Sequence, residues 1–228
     1  MRTSKMKKIL LALTISAVLP MSSLSAAGEP AELNADTVEY DMGTGLATAE
    51  GGVTMRRGTS CVTGMRATYN AKTQEGTVEG NVVATTDDTR ITCAKVMTDG
   101  QNHMLATGGV YGTQGDKSFR GEQVDYYPNR NKYVLIASGG TITSADGTFT
   151  ADRLEGWLDD AHYVGSGNAH IVSQPRDMEA GGDQMDYYGK DQGRVVVTGN
   201  AWAVQDNNTM KSNRLTIYLA SDGSAKVK

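Results

Sequence analysis

Polar and apolar residues alternate along this chain in short stretches, and clusters of turn-forming residues interrupt the alternation about every fifteen residues. The clusters include MGTG at Met42, NAKT at Asn70, DGQN at Asp99, PNRN at Pro128, LDDA at Leu158 and KDQG at Lys190. Gly, Asn, Asp and Pro reverse a chain between strands. The segments between them are rich in Val, Thr, Ile and Tyr, and the pattern predicts about thirteen β-strands of roughly ten to twelve residues.

The strands belong to a larger repeat. ADTVEY at Ala35 returns as GMRATY at Gly64, AKVMTD at Ala94, GEQVDY at Gly121, ADRLEG at Ala151, GDQMDY at Gly182 and SNRLTI at Ser212. A second motif lies between these copies and places glycines at Gly51, Gly80, Gly108, Gly139, Gly167 and Gly199. A unit of about thirty residues that recurs in this way is the mark of a stacked architecture. A glycine near the middle of a strand signals a bend or bulge. Thirteen strands also exceed the roughly ten that an open twisted sheet carries before it splits or curls. An all-β fold in two facing sheets follows. Periodicity alone leaves parallel and antiparallel stacking both open.

Residues two before and two after each glycine share one strand face. They are Ala49 and Val53, Val78 and Val82, Ala106 and Val110, Ala137 and Thr141, Gly165 and Ala169, and Val197 and Ala201. The face is apolar but small, and the chain has only two Phe, Phe119 and Phe149. Two explanations stand: the sheets approach closely, or they leave a groove for an apolar ligand.

Composition narrows the function. Residues 1–27 carry Arg2, Lys5, Lys7 and Lys8, then an apolar run from Ile9 to Leu19, and end in Ser25 and Ala27, the pattern of a cleaved secretory signal peptide. The run is shorter than the ~20 residues a membrane-spanning helix needs. Residues 28–228 then form one domain. The chain has 22 basic and 26 acidic residues; without the four leader cations the balance is 18 against 26. A nucleic-acid partner is therefore not expected. Cys61 and Cys93 would meet an oxidising compartment and either pair or serve as small buried hydrophobes. His103, His162 and His170 lack metal-ligand company and read as structural or surface residues. Asp36, Glu122, Asp152 and Asp183 recur at one repeat position, which suits a solvated strand face better than catalytic carboxylates. No catalytic, cofactor or metal site is expected.

ADTVEYDMGTGLATAEGGV, GTVEGNVV and GDQMDYYGKDQGRVVVTGNA together resemble the OstA-like lipopolysaccharide-transport proteins of the LptA type. The resemblance spans the expected mature chain and rests on the repeated pattern. It implies a V-shaped antiparallel β-jelly roll in the periplasm that shields lipopolysaccharide acyl chains between its sheets. The lipid-groove candidates are then Ala49, Val53, Val78, Val82, Ala106, Val110, Ala137, Thr141, Ala169, Val197 and Ala201. It further implies that the terminal strands join end to end, with other copies and with membrane-anchored LptC-like and outer-membrane LptD-like jelly-roll partners, to bridge the two membranes. The competing reading is a secreted structural or adhesive β-solenoid without lipid cargo, with a polysaccharide-active β-helix enzyme third.

Overall fold

In a computed structural model, the described residues are 31–227 except 58, 87–88, 102, 146, 190–192, 206 and 220–224. The expected signal peptide lies outside them. The strands are β1 (Ala31–Asn34), β2 (Thr37–Asp41), β3 (Leu46–Arg57), β4 (Ser60–Asn70), β5 (Glu75–Thr86), β6 (Thr89–Asp99), β7 (Met104–Gln114) and β8 (Lys117–Tyr127). There follow β9 (Tyr133–Ile136), β10 (Gly140–Ser144), β11 (Gly147–Ala151), β12 (Arg153–Trp157), β13 (His162–Ser173), β14 (Met178–Tyr188), β15 (Arg194–Gln205), β16 (Asn208–Leu219) and β17 (Ala225–Val227).

All pairings among the described residues are antiparallel, and the full-length strands pair with their neighbours along the chain. Three pairs of half-strands, β1 with β2, β9 with β10 and β11 with β12, each lie end to end along one neighbour. The seventeen strands therefore make fourteen rungs, against the thirteen that the turn spacing predicts; β17 is the addition.

One local device bends every second rung. In β3, Glu50 pairs with Arg66 and Val53 with Gly64, so Gly51 and Gly52 stand opposite a single residue. That is a β-bulge. Its two residues have φ of 80° and 56°, a left-handed pair that only Gly and, at some cost, Asn adopt readily. The same shift recurs at Gly80 and Asn81 in β5, Gly108 and Gly109 in β7, Gly167 and Asn168 in β13, and Gly199 and Asn200 in β15. Stacked in line, these bulges fold one continuous ladder into two facing halves with a single apolar core between them.

The bend also resets which residues point inward. On β4 the buried side chains are Val62 and Ala67, with Gly64 facing inward between them and exposed Arg66 beside it. Period-two alternation therefore holds within each half-strand and breaks at the bend. Two sequence assignments slip by one residue for this reason. The third repeat copy begins at Cys93 rather than Ala94, because Cys93 pairs with Val82 as Gly64 pairs with Val53. In the rung built from β9 and β10, Ile136 and Gly140 hold the inward places: Ile136 pairs with Leu154, and Gly140 with Gly121 and Ala151. Ala137 is consequently exposed and Thr141 turns outward, half-buried, which corrects both as groove residues. A slip of one residue on a strand changes its face.

The cysteines are both free. Cys61 flanks inward-facing Val62 and so lies on the outer face, whereas Cys93 belongs to the core, and β5 runs between their strands. No disulfide joins them. Burial pushes the Cys93 thiol above its usual pKa, as expected of an inert buried thiol.

The corrected register has a measurable consequence. Ala106→Trp overpacks the interior and is expected to cost about 1–3 kcal/mol, which is about 2–12 °C in Tm for a domain of this size. Ala137→Trp is expected to leave Tm unchanged, since its side chain meets solvent. Thermal unfolding followed by far-UV circular dichroism checks the pair, and equal losses would contradict this register.

Candidate functional site: the apolar interior and its open end

Nine of the eleven groove candidates lie in the continuous core: Ala49, Val53, Val78, Val82, Ala106, Val110, Ala169, Val197 and Ala201 are each 9% exposed or less. The alternate rungs complete the lining with Ala67, Val96, Val124, Leu154, Met185 and Leu215, one per repeat. Sequence reasoning around the glycines missed this row. Its signal was the fourth position of the first motif, Val38 in ADTVEY, once the third copy is set to Cys93.

Small residues along the bend let the two halves meet. A Cβ on Gly64 would come 2.6 Å from Val78 Cγ1, and one on Gly182 would come 2.7 Å from Val197 Cγ1. Along this crease the sheets pack closely. Further out, the only two Phe flank Ile142 across three strands, since Ile142 pairs with Phe119 and with Phe149. Phe119 fills the space over Gly112, and Phe149 fills the space over Gly165. Large rings thus occupy the middle of the roll, whereas the rungs before it are lined by Val, Ala, Ile, Cys and Met.

Among the described residues, nothing covers the interior at its first rung. Leu33 pairs with Met55, Val38 with Ala49 and Tyr40 with Ala47, so all three continue the inward face, yet they are 39%, 49% and 55% exposed. β1 and β2 each pair only with β3 among the described residues, leaving one backbone edge free. Of the tyrosines near the turns, Tyr126 is buried, and Tyr187 packs against the core.

The outer face of one half carries an aromatic ladder that sequence inspection did not anticipate. His103 stacks on Tyr127 at 4.5 Å, Trp157 on His162 at 5.1 Å, and His162 on Tyr188 at 4.6 Å; Tyr133 joins the two groups. Arg194 lies over Tyr188 at one end of the ladder, and Arg130 lies over Tyr127, the ring next to the other end. A second row of carboxylates bonds to the ladder: Asp125 to His103 at 2.8 Å, and Glu155 to Tyr133. Cross-strand aromatic contacts of this kind stiffen a sheet. The histidines have structural partners, His170 through Glu179 at 2.7 Å. No group of three or more His, Cys, Asp or Glu residues suited to a metal ion occurs among the described residues. The recurring carboxylates are exposed, and two of them bind the bulge asparagines: Asp152 accepts from Asn168 at 2.8 Å, and Asp183 from Asn200 at 3.1 Å.

This architecture defines a class: an antiparallel stacked-repeat jelly roll with an apolar interior whose first described rung leaves Leu33, Val38 and Tyr40 exposed. The chain belongs to the family described as LptA/(LptD N-terminal domain) LPS transport protein, whose model matches residues 61–223. Among solved structures it is similar to LptH from Pseudomonas aeruginosa, described as the LptA-homologous periplasmic component of the conserved lipopolysaccharide transport device. The two share 21% identity at a TM-score of 0.40, over 43% of this chain and 76% of that one. No curated protein matches the chain.

The Tyr133–Glu155–Arg153 cluster predicts a pH signature. Burial first, then the Glu155 carboxylate, push the Tyr133 phenol up to about 12, while Arg153 is the main cause holding Glu155 below its usual value. The protonated phenol is the form the fold favours, so its contribution is complete below the ordinary tyrosine range and lost as pH rises towards 12. The Glu155 contribution has the opposite sign: it is present above the ordinary carboxylate range and lost as pH falls through the lowered value. Ultraviolet titration of the tyrosines should show a late phenolate that Tyr133→Phe removes and Glu155→Gln shifts to lower pH.

Proposed function

We propose that this chain is a periplasmic carrier that shields lipopolysaccharide acyl chains between its two facing halves and passes them along a bridge of related jelly rolls. Its supporting observation is the apolar interior that runs through every repeat and ends unsealed at Leu33, Val38 and Tyr40. Hiding an acyl chain from water is worth about 0.8 kcal/mol per methylene. A long apolar interior can supply that shelter along its length and still release the chain at an end. Membership of an LPS transport family supports the cargo, and the leader at residues 1–27 supports export.

A photo-crosslinking residue placed at Val82, Val110 or Ala169 should label lipopolysaccharide, while one at exposed Lys72 should not. Label at Lys72 and at none of the three interior positions would remove the carrier reading. It would leave the structural β-solenoid in its place.

The same unsealed end supports assembly. A stacked-repeat protein is normally closed by a terminal repeat with a polar outer face. Here the first rung offers exposed apolar side chains beside a free strand edge, which invites strand addition. A first-to-last contact does not close, so it extends into chains of variable length or docks the membrane-anchored and outer-membrane partners. The last full rung is β16, starting at Asn208, and its Leu215 and Ile217 are buried. Removing residues from Ser212 onward would therefore unseal the core, and the first rung is the better place to intervene. Val38→Arg is expected to leave Tm within about 1 °C, because Val38 is half exposed. In analytical ultracentrifugation it should abolish the growth of oligomer size with concentration. A wild-type chain that stays monomeric at high concentration and binds no jelly-roll partner would rule out the bridge.

A further inference from the structure

Gly181 departs from its surroundings. The outer-face row to which it belongs carries Thr54, Thr63, Thr92, Thr141 and Thr150 on other rungs, residues that suit a strand. Gly181 is not among the left-handed residues, so the backbone does not require glycine there. A glycine in a strand interior weakens it unless something must approach closely. What approaches is Trp202 on β15, which pairs with Gly181.

A Cβ on Gly181 would lie 2.9 Å from each of Nε1, Cε2 and Cζ2 of Trp202. A point at that range from three bonded ring atoms lies well off the ring plane. The indole therefore rests face down on the sheet, and its opposite face points away from the sheet. Trp202 is half-buried, and its ring contact is His170, tilted by 35° at 5.7 Å. Trp157, by comparison, is held between Tyr133 and His162 within the ladder. The polar groups around Trp202 differ from side to side. Lys211, its exposed partner across the strand, supplies donors, while Glu179, fixed by His170 at 2.7 Å, keeps acceptor capacity.

We propose that Trp202 is a platform for one pyranose ring of a saccharide. A sugar ring presents a C–H face that packs on an aromatic face, and a rim of hydroxyls that both donate and accept. An indole face beside His170, which holds the Glu179 carboxylate, with Lys211 paired to Trp202 on the next strand, matches both properties. The saccharide comes either from the sugar portion of a lipopolysaccharide or from a free glycan. The first source rests on the carrier reading, and the second does not.

The test uses the full-length protein with Trp157→Phe, which leaves Trp202 as the only tryptophan of the two in the chain. Its fluorescence is titrated with deacylated lipopolysaccharide core oligosaccharide and, separately, with maltohexaose. At least one probe should shift the emission in a saturating way. Affinity measured by calorimetry should fall about tenfold or more in Trp202→Leu, and several-fold in Lys211→Ala, a surface change that leaves the fold intact. Binding of the core oligosaccharide alone identifies the lipid's sugar portion, and binding of both probes identifies a general glycan platform. If neither probe moves the emission, or if affinity survives in both Trp202→Leu and Lys211→Ala, the indole merely covers Gly181 and the proposal is overturned. Acyl-chain labelling is read at interior positions, so either idea can fail without the other.

Discussion

Two consecutive residues in the left-handed region, stacked in line on alternate rungs, are the constraint on which the rest of this structure depends. Without them a ladder of fourteen rungs would be an open sheet beyond the size that stays open. With them each rung turns at its midpoint, and one hydrogen-bonded ladder supplies both walls of its own core. The bend determines composition as well as shape. Because the walls meet at a crease, Gly64, Gly121, Gly140 and Gly182 must be small where Val78, Ile136, Leu154 and Val197 press against them. The shortage of bulky residues is therefore explained along the crease by close approach of the sheets, and only the space beyond the crease is available to a ligand.

The interior changes character along its length. Early rungs are lined by Val, Ala, Ile, Cys and Met, and the middle is filled by Phe119, Phe149, Tyr126 and Tyr163. The half-strand rungs β9 with β10 and β11 with β12 fall in this same middle region. The outer face is specialised in a different way: one half is braced by stacked aromatics and carboxylates, and the other holds a single indole lying on a glycine. A uniform repeat thus supports several distinct surfaces, because inward and outward positions alternate and vary independently.

The amino-acid sequence by itself determined the strand content, the repeat, the bend on alternate rungs and the apolar face around it. All of these are local: turn residues, period-two alternation and the tolerance of Gly and Asn for left-handed φ act within a few residues of each other. Nine of the eleven groove candidates could be placed in the interior that way. Ala137 and Thr141 could not, because SGG at Ser138 offers two places for the bulge and only pairing with β8, β11 and β12 selects one. Tertiary structure alone decided antiparallel stacking, the separation of Cys61 from Cys93, the aromatic ladder and the contact of Trp202 with Gly181. Each depends on which side chains come together across strands, and residues such as His103 and Tyr127, or Gly181 and Trp202, lie about twenty positions apart in the chain, a separation no local pattern encodes.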